Sequence, residues 1–163
     1  MIVLVRNDDR LVHGQCMTRI VQHFKLQHII VIDDGTANNS ILKLVCEKAA
    51  MGNYKIEVFS TQNYADAVKT AATDKLNTMI VFRFPPIAKM VYDTLAGENV
   101  PKEMMVGPCQ VTEGAVEVNT GAFVSKAYAE VFNYLLDTYG VETYFQPVPD
   151  MKRVDWKDIK SKF

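Results

Sequence analysis

Short apolar runs alternate along this chain with stretches whose apolar residues recur every three or four positions. Ile2–Arg6 is a β-branched run, followed by a polar loop from Asn7 to Gly14. Met17, Ile20, Val21 and Phe24 then follow the i, i+3, i+4, i+7 spacing of one helical face. His28–Asp33 is a continuous apolar run closed by acids, the pattern of a strand buried on both faces. A second helix is predicted from about Asn39, with Ile41, Leu44, Val45 and Ala49 on its inner side. Lys55–Ser60 alternates like a strand, Gln62–Ala72 has helical composition, and Thr78–Phe82 is another apolar strand ended by Arg83-Phe84-Pro85-Pro86. Proline is tolerated in a first helical turn, where its missing N–H has no partner to lose. Ile87, Met90, Val91 and Leu95 mark the helix that follows, stopped at Gly97. Glu103–Val106 and Ala115–Val118 read as a fifth and a sixth strand. Ser125 is placed to cap a helix that runs to about Tyr139, with Gly140 at a left-handed C-cap. Glu142–Val148 reads as a late strand whose internal proline suits a sheet edge, and Trp156–Lys162 as a short terminal helix.

The regular succession of strand and helix predicts a three-layer α/β/α fold. Its core is a doubly wound, mostly parallel sheet of about six strands plus a C-terminal edge strand. With no repeat, linker or low-complexity segment, residues 1–163 are expected to form one domain. Apolar residues make up 48% and charged residues 23%, a balance that needs no disulfide or metal staple at this length. The net charge of −1 gives no electrostatic basis for nucleic-acid binding. Cys16, Cys46 and Cys109 are widely spaced and odd in number, so they are expected to be reduced, mostly buried thiols. The start MIVLVRNDD lacks the features of a signal peptide, and no apolar run approaches the roughly 18 residues that span a bilayer. The expected location is cytoplasmic, with any membrane role served by docking.

In open α/β sheets, ligands bind beyond the carboxyl ends of the strands, where strand order reverses. The loop after the first strand is the richest candidate: Asp8, Asp9, Arg10 and His13 fall within six residues, just before a helix start. Helix N-termini favour anions such as phosphate. Neutral imidazole at His13 is a competent nucleophile toward phosphorus, and Arg10 together with the helix dipole disfavours its protonation. A carboxylate from Asp8 or Asp9 would hold the ring in one tautomer. Arg10 would pair with phosphoryl oxygens, and Gly14 would let the backbone approach them. Phosphoryl transfer needs little beyond positioning and charge stabilisation. The competing reading is a solvated loop with a surface ion pair.

The run Arg6-Asn7-Asp8-Asp9-Arg10-Leu11-Val12-His13-Gly14-Gln15 resembles the active-site loop of the IIB subunits of the mannose/fructose/sorbose class of bacterial sugar phosphotransferase systems. The likeness continues through Ile29–Asp34, Ala49-Ala50, Val81–Pro86, and the region from Met105 to Asn119. It implies that His13 accepts a phosphoryl group from a IIA partner and passes it to a sugar taken up through IIC/IID membrane subunits. It implies an enzyme of the protein-Nπ-phosphohistidine–sugar phosphotransferase class that requires no metal, nucleotide or other cofactor. Arg10 and Asp9 match the arginine and acid of the family loop; Gly14, Gln15 and Arg83 are assigned to phosphate binding. Asp8, Asp33 and Asp34 are assigned to ordering the loop. Sugar choice belongs mainly to the membrane subunits, and the family also makes a homodimer an expectation. Three departures stand out: Ile20 where the family usually has tryptophan, Cys16 where it often has valine, and Arg83-Phe84 before the proline.

For Asp33 and Asp34, capping of the next helix is the favoured role. His23 and His28 are expected at the surface. Tyr128, Phe132 and Tyr139 are expected to pack on the late helix. The last 14 residues, with five basic and three acidic side chains, read as a solvated helix. The alternative to a phosphoryl carrier is a non-catalytic regulatory or binding module on the same fold.

Overall fold

A computed structural model of the chain describes residues 1–12, 14–50 and 54–163, and of Gln15 and Cys16 the backbone alone. Seven strands form the main sheet in the order β3-β2-β4-β1-β5-β8-β9. They are β1 (Ile2–Asn7), β2 (His28–Ile32), β3 (Lys55–Phe59), β4 (Thr78–Phe82), β5 (Glu103–Val106), β8 (Glu142–Phe145) and β9 (Val154–Asp155). Six of them run parallel, and β9 pairs antiparallel with β8. Two further strands, β6 (Val116–Asn119) and β7 (Ala122–Val124), form a separate hairpin.

Two apolar layers hold the sheet. On one face α4 (Ala65–Thr73), α5 (Pro85–Thr94), α6 (Lys126–Tyr139) and α7 (Trp156–Ile159) bury Val68, Val91, Phe132 and Trp156 against Val5, Ile30, Ile80 and Phe145. On the other, α1 (Gln15–Phe24) and α3 (Ser40–Lys48) lie over Leu4, Ile29, Val31, Ile56, Val58, Met79 and Val81. Successive residues of β2 and β4 divide between the two layers, which is why those strands read as unbroken apolar runs. Ile20, one of the three departures noted above, is 1% exposed and packs in the second layer. The helix caps follow local chemistry. Asn39 Oδ1 accepts from the amides of Ile41 and Leu42, Ser125 Oγ from that of Tyr128, and Gly140 ends α6 with φ 67°.

Several expectations are corrected. Of the residues expected to face inward from the second helix, Ala49 is half-buried against the second layer, but Ile41, Leu44 and Val45 are not. Ile41 is 71% exposed, and Leu42, Leu44 and Val45 are also exposed, while Lys43, Cys46 and Glu47 occupy the half-buried side. Periodicity locates an apolar stripe but does not say which neighbour covers it. The segment expected as a sixth sheet strand belongs to the β6–β7 hairpin instead. The late strand stops at Phe145, before Pro147, and is not an edge, because Tyr144 and Phe145 pair with β9 as well as β5. A short helix, α2 (Asp34–Ala37), precedes α3. His28 is buried, with Nε2 2.9 Å from Glu57 Oε2, whereas His23 is exposed as expected. The terminal segment is anchored rather than solvated: Trp156 is 0% exposed and donates from Nε1 to Asn133 Oδ1 at 2.9 Å. Cys109 is buried and Cys46 half-buried, both as free thiols. Among the described residues no helix is long and apolar enough to cross a membrane.

Candidate active site

The loop after β1 is held by the ends of both neighbouring strands. The Asp8 amide donates to Phe82 O (2.9 Å) and the Asp9 amide to Pro108 O (3.0 Å). The Leu11 amide donates back to Asp8 O at 3.0 Å, closing a tight turn in which Leu11 takes a left-handed φ of 53°. Leu11 and Val12 are driven into the second apolar layer, at 5% and 6% exposure. Gly14 follows with φ 78°, a value for which an L side chain would be strained, and its carbonyl accepts from the Met17 amide in the first turn of α1. The apolar pair thus fixes the loop from beneath while its polar residues stay at the strand ends. His13 and the side chain of Gln15 lie outside the described residues.

Beneath the loop is a charged cluster centred on Asp8. This carboxylate is buried, and both its oxygens are engaged. Oδ2 accepts from Arg6 Nη2 (2.7 Å) and Arg10 Nη2 (3.3 Å); Oδ1 accepts from the Arg10 amide (3.0 Å) and Arg10 Nε (3.2 Å). Arg6 is 0% exposed, and its guanidinium also donates to Pro147 O at 2.8 Å and contacts Met105 Sδ. Burial lowers the Arg6 pKa, and the neighbouring Asp8 opposes that shift. A buried cation is tolerated only when paired and hydrogen-bonded. Here the pair has a second consequence: it sets the direction of the half-exposed Arg10. Gly107 completes the fit, because a Cβ at that position would lie 2.8 Å from Arg6 Cζ and from Asp8 Oδ2.

Asp9 is half-buried. Burial, and next the Asp8 carboxylate, raise its pKa, against the pull of Arg10 and Arg83. Arg83, assigned to phosphate binding, donates from Nε to Asp33 Oδ1 at 3.2 Å and from Nη1 to the Asp9 carbonyl. It therefore links the loops after β1, β2 and β4. Asp33 caps α2, accepting from the Thr36 amide (2.9 Å) and hydroxyl (2.7 Å). Burial works against its ionised form, but the bonds from Thr36 and Arg83 prevail and leave its pKa below the ordinary value. Asp34 accepts from the amide (2.7 Å) and hydroxyl of Thr61, tying in the loop after β3.

A cleft of about 380 Å³ opens at the carboxyl ends of the strands, lined by Arg10, Arg19, Pro108, Thr120, Pro147 and Met151 among others. The β6–β7 hairpin contributes one wall. Asn119 fastens it by donating to Phe145 O (2.8 Å) and Lys152 O (2.9 Å). Reading the sequence singled out Arg10 but gave no role to Arg6, Gly107, Arg19 or Asp150. For Arg6 a signal existed, since a charge inside a buried strand needs a partner. Arg19 follows the loop on α1, yet nothing in the sequence shows that it lines the cleft, and nothing joins Gly107 or Asp150 to the loop, because they come from distant segments.

Comparison with known proteins places this arrangement in context. The family model described as the PTS system sorbose subfamily IIB component matches residues 2–163. The chain is 27% identical over 158 residues to the fructose-specific EIIB component of Bacillus subtilis, covering 97% of this chain and 94% of that one. It is 24% identical over 162 residues to the mannose-specific EIIAB component of Escherichia coli K12, covering 99% of this chain and 49% of that longer one. In fold it is similar to the IIBSor domain of the sorbose permease from Klebsiella pneumoniae. The TM-score is 0.84 at 22% identity, with 99% of this chain and 96% of that one covered.

Proposed function

The chain belongs to the sorbose-subfamily IIB components of the sugar phosphotransferase system, and from that premise we propose that His13 carries the phosphoryl group and that Arg10 pairs with it. Phosphoryl transfer in sugar uptake is the work of this family. The observation that supports the residue assignment is the bracing of Arg10. A guanidinium held by a buried carboxylate, which is itself held by buried Arg6, lines a cleft at the strand ends. Its loop also contains the histidine.

Each step balances simply. A ring nitrogen of His13 attacks the phosphorus carried by a IIA histidine. The donor N–P bond breaks, and the donor imidazole keeps the electron pair. In the second half-reaction a sugar hydroxyl oxygen attacks the phosphoryl group, the His13 N–P bond breaks, and the hydroxyl proton is lost to the departing imidazole or to water. Arg10 neutralises charge that builds on the phosphoryl oxygens, a role in which preorganised donors are most effective. Gly14 and Gln15 supply the opening of α1, and Asp9 flanks the group. Asp8, Asp33 and Asp34 keep the loop in place, and Arg83, which holds the Asp9 carbonyl, is assigned to the phosphoryl group. No metal or nucleotide takes part in this scheme.

The donor in this reading is a IIA component, in keeping with the joined A and B parts in the name of the mannose relative. The acceptor is a sugar presented by IIC/IID membrane subunits, with fructose and mannose the first candidates from the relatives' names. Residues 1–163 then act as one cytoplasmic IIB domain that reaches the membrane by docking, and a homodimer is checked by sedimentation. The enzyme class is protein-Nπ-phosphohistidine–sugar phosphotransferase. The decisive experiment supplies phosphoenolpyruvate, the general phosphotransferase proteins and a IIA domain. Wild type takes up alkali-stable, acid-labile label, His13→Ala takes up none, and Arg10→Ala is slowed by about a hundredfold. Equal labelling of wild type and His13→Ala removes the assignment.

A further inference from the structure

A second arginine in the cleft has no task in this scheme. Arg19 lines the same cleft as Arg10, from α1. Its Nη1 lies 2.9 Å from Oδ2 of Asp150, in the loop after β8. The two side chains are 58% and 62% exposed. An ion pair so open to water holds its partners only weakly. Arg10 and Arg83 are different: each is fastened to a buried carboxylate, Asp8 and Asp33 respectively. Of these three arginines, Arg19 is therefore the one most cheaply transferred to another anion.

A phosphoryl group brings a charge of roughly −1.5 to −2 and three acceptor oxygens, more than one guanidinium with two nitrogens already engaged can satisfy. Side chains on a helix lean toward its N-terminus. From position 19 that direction runs toward Gly14 and the loop. We infer that Arg19 is a second phosphoryl-binding residue, held on Asp150 while the site is empty and moved onto the phosphoryl oxygens when His13 is loaded. The exchange makes and breaks no covalent bond; one ion pair changes partner. It releases Asp150 and so unclips α1 from the loop after β8. That loop keeps its own shape, because Gln146 Nε2 donates to Pro149 O (3.0 Å) and Met151 O (2.7 Å). The lip of the cleft thereby differs between the loaded and empty protein, where donor and acceptor partners must tell them apart.

This inference rests on His13 as the carrier, and its test separates the two. The full chain is phosphorylated with phosphoramidate, which transfers its phosphoryl group to the ring nitrogen and leaves as ammonia. Wild type, Arg19→Gln, Arg19→Lys and Asp150→Asn are compared, with melting curves to show that all are folded. Arg19→Gln is expected to load about tenfold more slowly, the effect of one lost charge-assisted hydrogen bond. Arg19→Lys falls between it and wild type, and Asp150→Asn loads at least as fast as wild type. In nitrogen-15 spectra the Arg19 Nε–Hε signal shifts on loading of wild type and is already displaced in unloaded Asp150→Asn. A wild-type loading rate in Arg19→Gln, with an unmoved Arg19 signal, overturns the inference and leaves His13 in place. Equal slowing of Arg19→Gln and Asp150→Asn overturns it too, since the pair then acts as a fixed strut. Failure of wild type to load on His13 removes the carrier assignment and the inference together.

Discussion

Replacing Gly107 with alanine tests the bracing of Arg10 from its far side. The added methyl would sit 2.8 Å from Arg6 Cζ and from Asp8 Oδ2, and closer still to Arg6 Nη2. The guanidinium has no room to retreat. Arg6 is 0% exposed and is held by Asp8, Pro147 O and Met105 Sδ. Any shift that admits the methyl lengthens the 2.7 Å bond to Asp8. Breaking a buried ion pair costs about 3–5 kcal/mol, since each charge is left desolvated. Partial relaxation reduces this, and a loss of about 3 kcal/mol is expected. At this chain length each kcal/mol lowers Tm by about 2–4 °C, so melting should fall by about 10 °C. Gly35→Ala is the control. Its added methyl would meet only Asp33 Oδ2, at 3.5 Å, and its stability should stay within about 1 kcal/mol of wild type. Urea unfolding and thermal melting followed by circular dichroism measure both variants. Phosphoryl loading of Gly107→Ala should fall as well, because a displaced Asp8 no longer directs Arg10. A Gly107→Ala protein with wild-type unfolding midpoints would show that Arg6 and Asp8 are not packed as described.

Three further outcomes follow from the same structure. The Asp33 pKa lies below its ordinary value, so the stability this group contributes is present above the unfolded carboxylate range, near pH 4, and is lost as pH falls through the folded value. Asp33→Asn should accordingly be less stable than wild type at neutral pH, with the gap closing below about pH 4 when urea midpoints are compared. A double change on the outward face of α3, Ile41→Glu with Val45→Lys, should alter stability by less than about 1 kcal/mol, because both residues are mainly exposed. A loss of several kcal/mol would place that face in the core after all. Trp156→Ala should cost about 3–5 kcal/mol in chemical denaturation, as it empties a site packed by Phe132, Phe145 and Phe163. A near-neutral result would show that the terminal segment is not anchored.

The contrast between β2 and α3 shows where sequence reading succeeds and fails. The apolar run His28–Ile32 is buried on both faces by any parallel sheet, so its pattern has one reading. The stripe on α3 has two, because a helix at the flank of a sheet can turn it inward or leave it for solvent. A similar difference separates Leu11 and Val12, which are plainly apolar within a polar loop, from the proline of the late stretch. Pro147 suggested an edge position, yet the strand ends before it and β9 takes the edge.

The chain's own pattern determined the alternation of strands and helices, the caps at Asn39, Ser125 and Gly140, and the loop that joins Asp8, Asp9, Arg10 and His13. These depend on interactions within about one helical turn or one strand of each other, which local sequence records. Tertiary structure alone decided that Pro147 and Gly107 close around the Arg6–Asp8 pair and that Arg19 meets Asp150 across the cleft. The contacting pairs span as many as 141 positions, and only the strand order β4-β1-β5-β8 brings their segments side by side.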